Sequence, residues 1–240
     1  FPDSSDDEFS QAALTLEGDL GFASLVYAGS MMEREVEYAA DYSAYADYAN
    51  YSSAYWIAAY QCYYGNVTEE CSSLAIFYGD DNDYERETHE LRLQSQNDGP
   101  LQYTVGVFYE RSSHDYRQEW TMTGVAQGEG FANFDEANLW YLTDQKRRDN
   151  QEAIFGELSY DLSDDLTATV GFRKFWNDSS LKGVSGYGVT APYTPSIQVD
   201  SETDDSDTIF KVNLTYNLDD DKMLYATWSE GYRAGGANRD

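Results

Sequence analysis

The sequence predicts an all-β fold, an antiparallel meander of about eight strands, and three observations lead to it. Apolar and polar side chains alternate with a period of two in several segments, as in strands with one apolar and one wet face. Short polar turns alternate along the chain with long segments. No apolar run approaches the roughly 20 residues of a membrane-spanning helix.

The clearest alternation runs from Leu166 to Trp176, and it recurs in segments that begin near Leu101, Ile154 and Phe210. Between the strands lie two classes of connection, short turns within hairpins and long segments between them. The predicted short turns are Gly18–Gly21, Asn97–Pro100, Ser163–Asp165 and Asp219–Asp221. The predicted hairpins are 9–17 with 22–36, 84–96 with 100–113, 147–162 with 165–178, and 206–218 with 222–233. The predicted long segments are 37–83, 114–146 and 179–203.

Short turns at one end of the strands and long loops at the other are typical of transmembrane β-barrels, whose strands cross the hydrocarbon with about 9–11 residues. We therefore predict one face toward lipid and one toward a lumen. The lipid-facing set is Val105, Val107, Leu158, Leu166, Val170, Val212 and Leu214. The lumen-facing set is Thr104, Glu157, Thr167, Thr169, Lys211 and Asn213. Lys174 falls on the lipid side by parity, so it must snorkel or lie beside a bulge. A soluble antiparallel sheet is the alternative.

The charge balance excludes some partners. Lys plus Arg is 15 against 44 Asp plus Glu, a net charge of −29. Nucleic acid is a poor partner for such a surface, because its binding needs clustered cations. His89 and His114 have no second ligand at metal-binding spacing, and no catalytic motif stands out. We expect no enzyme activity, no cofactor and no metal site.

The segment 37–83 is rich in tyrosine and acids and has no Lys, Arg or His. Residues 39–60 are rich in Ala, which favours a short helix there. Cys62 and Cys71 lie close together in this polar segment, and a disulfide in an oxidising compartment is the preferred interpretation.

Four segments carry a resemblance to a known family. They are "LTLEGDLGFASLVYAGSMMEREVEYAADYS" (14–43), "ERETHELRLQSQNDGPLQYTVGVFYE" (85–110), "NQEAIFGELSYDLSDDLTATVGFRKF" (150–175) and "YATWSEGYRAGG" (225–236). Together, in this order, they resemble strands of TonB-dependent outer-membrane receptors, which import iron chelates, cobalamin and some glycans. The resemblance covers nearly the whole chain.

The resemblance implies a barrel of 22 strands, of which the chain supplies about eight. No plug domain and no energy-coupling box is visible, so residues 1–240 are expected to be an internal piece of one receptor barrel domain, an open curved sheet. The implied function is energy-dependent uptake of a scarce nutrient, a ferric siderophore first, across the outer membrane of a Gram-negative bacterium. The implied partners are outer-membrane lipid, the TonB system acting through a plug, and a metal chelate or other small molecule.

Two other functions stay open at this stage. Eight strands also make a complete small barrel with a structural or adhesive role, and an outer-membrane hydrolase would need a polar catalytic set at the rim. In the receptor interpretation, the predicted disulfide between Cys62 and Cys71 holds the aromatic stretch 45–60 over the barrel mouth. Tyr55, Trp56 and Tyr60 are then the candidate ligand-binding residues, because tyrosine and tryptophan give rigid contact area at low entropic cost. The alternative is that these rings only pack the loop against its neighbours.

Overall fold

The computed structural model describes residues 3–43, 76–122, 139–187, 198–233 and 235–237. These residues form one sheet of eight strands in sequence order. The strands are β1 (Ser4–Asp19), β2 (Ala23–Asp41), β3 (Ile76–Ser95), β4 (Leu101–Met122), β5 (Leu139–Ser163), β6 (Leu166–Tyr187), β7 (Gln198–Asp219) and β8 (Lys222–Ser229). Within these ranges no helix combines the length and the apolar character that a membrane crossing requires.

The sheet is an open, curved antiparallel meander, which confirms the predicted fold class. Each strand pairs with its neighbours in the chain. In the described part of the chain β1 pairs only with β2, and β8 only with β7. The four hairpins have the predicted short turns, and a ladder between the first and last strands, which a closed eight-stranded barrel needs, is not among the pairings.

The segments that connect the hairpins are shorter in the structure than the predicted 37–83, 114–146 and 179–203, because the strands continue into all three. In the first, β2 reaches Asp41 and β3 begins at Ile76; in the second, β5 begins at Leu139; in the third, β6 reaches Tyr187. Charged residues on both faces of these stretches hide the apolar–polar alternation that reveals a strand. In the Ala-rich stretch where a short helix is predicted, residues 39–41 belong to β2 and Ser43 has helical conformation. Residues 44–60 lie outside the described part, so the helix stays a prediction.

The register divides the side chains between two faces, with the two predicted sets on opposite sides. Leu158 pairs with Val170, and Val170 pairs with Val212, so all three lie on one face. Glu157 pairs with Gly171, and Gly171 with Lys211, on the other. We call these the band face and the polar face. The following apolar side chains of the band face, together the apolar band, are exposed: Leu14, Leu16, Leu25, Leu91, Val105, Val107, Ile154, Leu158, Val170, Phe172, Phe210, Val212, Leu214 and Trp228.

The apolar band covers only the turn-side half of the strands. On β5 it ends at Ile154, and Glu152 and Arg148 follow on the same face. We call the remainder, from this level to the long loops, the loop-side extension. On the polar face side chains are packed more closely; Gln145, Ala153 and Phe175 are among its buried members. The polar face therefore supplies most of the side-chain packing in the sheet.

At the level of the band, aromatic rings cover glycines on the neighbouring strand on both faces of the sheet. On the polar face, a Cβ on Gly106 would lie 2.5 Å from Cζ of Phe155 and 2.9 Å from the backbone oxygen of Leu91. On the band face, a Cβ on Gly156 would lie 2.9 Å from Cε1 of Phe172. Such cross-strand pairs of glycine and an aromatic residue fix the register.

Lys174 lies on the band face beside Ile154, with no bulge in the β5–β6 ladder at this level. Its Nζ lies 5.5 Å from the centre of the Trp176 ring, which is two residues nearer the loop-side extension. The lysine therefore snorkels along the strand, which is the first of the two predicted solutions.

The predicted strand 222–233 ends earlier, at Ser229. The following segment crosses the polar face, where the Tyr232 ring packs 3.8 Å, centre to centre, from Phe175. The Tyr232 hydroxyl accepts a hydrogen bond from Asn177 and donates one of 3.2 Å to Asp205. These contacts with β6 and β7 explain why the chain leaves the line of the strand.

Candidate ligand-binding face

Four aromatic side chains meet on the polar face at the loop end of β2, β3 and β4. Tyr78 and Trp120 are a directly opposed pair with ring centres 4.8 Å apart. Tyr42 lies 5.0 Å from Trp120 and 5.9 Å from Tyr78, and Tyr38 lies 6.0 Å from Tyr78. We call these four residues the aromatic cluster. Edge and tilted contacts of this kind add stability beyond simple burial and leave ring faces available for a ligand.

A second group of rings continues along the same face toward the apolar band. The His114 ring stacks between Tyr84 and Tyr116, at 4.0 Å and 4.5 Å between ring centres. Its Nε2 is bonded to Oδ1 of Asn82 at 2.8 Å. Burial lowers the pKa of His114, so its imidazole is neutral at physiological pH and adds no positive charge to the face.

Between these rings and β6 lies a set of amide and hydroxyl groups. The Tyr116 hydroxyl donates a short hydrogen bond to Oε1 of Gln145. The Nε2 of Gln145 is buried and has no partner among the described residues. Beyond it, Ser185 is bonded to Thr143 at 3.1 Å and to Tyr141 at 3.0 Å. A buried amide donor without a partner is costly, and a ligand oxygen would satisfy it.

Acidic side chains accompany the rings. Oδ1 of Asp80, on the polar face of β3, accepts a 2.8 Å hydrogen bond from Asn82. Asp80 is also hydrogen-bonded to Tyr78, and burial together with this contact raises the pKa of the Tyr78 hydroxyl. The tyrosine is thus neutral at physiological pH. Aromatic faces, neutral hydroxyls and carboxylates can bind a ligand without covalent chemistry.

None of the five site residues predicted from the sequence falls within the described part of the chain. Tyr55, Trp56, Tyr60, Cys62 and Cys71 lie between residues 44 and 75, so their roles stay predictions. Among the described residues, no group of three or more His, Cys, Asp or Glu is arranged to hold a metal ion.

The sequence reasoning missed the aromatic cluster, although a signal for it was present. Tyr116 and Trp120 lie four residues apart in β4, and Tyr78 and Tyr84 lie six apart in β3. Even spacings place residues on one face of a strand. Because both stretches were assigned to long loops, this parity was not applied to them.

Comparison with known proteins identifies the fold. A family model described as "TonB dependent receptor-like, beta-barrel" matches residues 2–240. The chain belongs to the TonB-dependent receptor family. No curated protein matches the sequence.

Solved TonB-dependent receptors have the same strand arrangement. The ferric yersiniabactin uptake receptor FyuA from Yersinia pestis is similar with a TM-score of 0.68 at 9% identity over 98% of this chain and 31% of that receptor. The siderophore receptor PiuA from Acinetobacter baumannii has a TM-score of 0.61 at 11% identity, over 95% of this chain and 32% of that receptor. The ferric-catecholate import receptor Fiu from E. coli K12 has a TM-score of 0.57 at 14% identity, over 95% of this chain and 36% of that receptor. The chain thus spans about a third of the length of these receptors.

Members of the TonB-dependent receptor family are receptors and transporters of the Gram-negative outer membrane, not enzymes. In outer-membrane barrels apolar side chains face lipid and polar ones face the interior. That rule predicts that, in a complete barrel of this family, the band face would face lipid and the polar face the lumen. The aromatic cluster would then lie at the mouth of the barrel.

Proposed function

We propose that this chain forms part of the wall and mouth of a TonB-dependent receptor that imports a scarce nutrient, a ferric siderophore, across the outer membrane. The observation that carries the proposal is the match of the family model to nearly the whole chain. The apolar band supports it, because a continuous exposed apolar surface on a monomer marks contact with lipid or another protein. The sheet covers about a third of the siderophore receptors FyuA and PiuA.

Uptake requires energy and a ligand, so the proposal assigns the whole receptor two further partners. One is the TonB system, acting through a plug domain, and the other is a metal chelate or similar small molecule. The chain makes and breaks no covalent bond in this scheme. Its contribution is to bind the ligand at the mouth and to enclose its path.

The test uses the full-length receptor in its host. The gene is deleted, and cells are given ferric siderophores labelled with radioactive iron, with and without an uncoupler of the inner membrane. We expect uptake of at least one chelate to depend on the gene and on the energised membrane. Unchanged uptake of every ferric chelate in the deletion strain, or gene-dependent uptake that the uncoupler leaves intact, would contradict the proposal.

Within this function, Tyr55, Trp56 and Tyr60 are proposed to contact the ligand. The test replaces the three by Ala in the full-length receptor and measures ligand affinity. Reduced affinity with intact folding supports contact, whereas unchanged affinity leaves these rings only the role of packing the loop.

The alternative, a complete eight-stranded barrel with a structural or adhesive role, finds less support. Such a barrel needs a ladder between β1 and β8, and in the described strands their partners are β2 and β7 alone.

A further inference from the structure

Among the described residues, the strand cations on the polar face of the loop-side extension are paired with carboxylates. Three arginines lie on the strands there, and each is paired with a carboxylate. Arg34 contacts Asp7 at 2.5 Å, Arg86 contacts Glu110 at 2.6 Å, and Arg147 contacts Asp149 at 2.9 Å. Within the extension, no described strand residue of this face carries an unpaired positive charge. Arg173, at the level of the band on the same face, is bonded to Oε1 of Gln151 at 3.1 Å, and the exposed Arg233 lies on the segment that follows β8.

Carboxylates, by contrast, are in excess on the same face. Asp80 accepts its hydrogen bonds from uncharged groups, Asn82 and Tyr78, and Asp205 accepts one from the Tyr232 hydroxyl. Neither carboxylate is paired with a cation among the described residues. The excess lies at both sides of the face, on β3 and on β7.

The long segments add no positive charge. Residues 44–75, 123–138 and 188–197 contain no Lys, Arg or His. Their ionisable acids are Asp47, Glu69, Glu70, Glu129, Asp135 and Glu136. An approaching anion thus meets no positive side chain in these three segments and negative charge in the first two, and the long-range field repels it.

At short range, the rings of the aromatic cluster can attract a cation directly. The face of a tyrosine or tryptophan ring attracts a cation by about 0.5–2 kcal/mol, more when water is excluded. Tyr78 and Trp120 are half-buried, and the Asp80 carboxylate lies beside Tyr78. On this face the buried amide nitrogen of Gln145 has no partner among the described residues, which suits a ligand carbonyl oxygen. Rings, a carboxylate and an amide donor together suit an organic cation that carries carbonyl groups.

We propose that the aromatic cluster and Asp80 select ligands of net positive charge, so that the receptor takes a cationic chelate, of the hydroxamate type bearing a free ammonium group, in preference to an anionic one. This rests on the proposed uptake function and adds to it the charge class of the ligand. Hydroxamate carbonyls accept hydrogen bonds as Gln145 requires, and the ammonium group matches the rings and Asp80.

The test uses three ferric trihydroxamate chelates that differ only at one chain end: a free amine, an acetylated amine and a succinylated amine. Their net charges are +1, 0 and −1. Each is titrated into the purified full-length receptor in detergent, with tryptophan fluorescence or calorimetry as the readout. We expect the amine chelate to bind about tenfold more tightly than the succinylated one, and the ratio to shrink in high salt as the charges are screened.

Two matched variants locate the effect. Asp80→Asn removes one charge at constant shape, and we expect it to reduce the preference for the amine chelate about threefold or more. Asp83→Asn removes a charge three residues along the same strand, on the band face, and should leave the preference unchanged. Tight binding of the succinylated chelate, or a preference that both variants reduce equally, would overturn the charge assignment alone. Failure of all three chelates and of an anionic catecholate chelate to bind would overturn the proposed uptake of ferric siderophores, and this inference with it.

Discussion

The apolar band and the loop-side extension are built from the same strands and the same hydrogen-bonded ladder, yet they suit different solvents. On β6, Val170 and Phe172 in the band are exposed apolar side chains, whereas Asp178 and Lys182 on the same face of the extension are charged. In the band, ring-over-glycine contacts such as Phe172 on Gly156 join neighbouring strands. In the extension, ion pairs such as Arg148 with Asp115 take that role.

The comparison shows that strand pairing alone does not set the environment of a sheet. A barrel strand satisfies its backbone groups in lipid and in water alike, so the side chains of one face decide where the membrane ends. Here the change occurs at the row that contains Tyr109, Glu152 and Trp176, with aromatic rings where an interfacial girdle belongs.

The largest expected effect comes from a charge in the middle of the band. Val170→Arg places a cation on the lipid-facing side, and we expect a loss of about 2–4 kcal/mol in folding stability, with poor assembly in the membrane. Ser180→Arg, on the same face of the same strand but in the extension, is the control and should change stability by less than about 0.5 kcal/mol. Unfolding of the full-length receptor in lipid vesicles measures both. Equal losses would show that the apolar band is not the membrane-facing surface.

The second-largest effect is expected from removal of the predicted disulfide. It should be confined to the loop that contains Cys62 and Cys71. Cys62→Ser is expected to destabilise the loop by somewhat less than the roughly 3 kcal/mol of a 15-residue ring. Mass spectrometry of peptides with and without reductant first establishes whether Cys62 and Cys71 are linked. Hydrogen exchange should then rise in this loop and stay unchanged in β5 and β6. Two free thiols in the untreated protein would contradict the prediction.

A glycine pair compares the packing of the two regions. Gly106→Ala pushes a methyl group into the Phe155 ring and the backbone oxygen of Leu91, and we expect a loss of about 1–3 kcal/mol because the backbone neighbour cannot move away. Gly79→Ala, in the extension, meets nothing within 4 Å and should be neutral or slightly stabilising. Chemical unfolding of both variants in detergent is the measurement. A neutral Gly106→Ala variant would mean that the ring-over-glycine contact does not hold the register.

The smallest effect is expected from an ion pair of the extension. Arg148 and Lys146 hydrogen-bond Asp115 and hold the pKa of its carboxyl below the usual range. Asp115→Asn should cost about 0.2–1 kcal/mol locally, as exposed pairs do, and speed hydrogen exchange in β4 and β5. A carboxyl whose pKa is depressed by folding stabilises the fold above its unfolded pKa of about 3.9 and loses that contribution as pH falls through the folded value.

Measuring the stability of both proteins as a function of pH therefore supplies the control for Asp115→Asn. Wild type and Asp115→Asn should differ at neutral pH and converge in acid, once the carboxyl is protonated. A difference that persists in acid would assign the effect to packing of the side chain.

Much of the fold followed from the sequence because the band keeps strict alternation. Leu166 to Trp176 showed its two faces directly, and the short turns placed the hairpins. The extension was missed because alternation carries no information where both faces are charged, as around Asp115 and Lys146. The aromatic cluster was missed for the same reason, since Tyr78 and Trp120 meet only when β3 and β4 are extended to their observed ends.

The length of β5 has a consequence for the cell surface. From Glu152 to Leu139 the strand continues for 14 residues past the band, about 45 Å at the rise of an antiparallel strand. In the proposed receptor, with a typical barrel tilt, the rim would stand about 35 Å above the lipid. Proteases would find little to cut in this paired collar, because cleavage needs local unfolding.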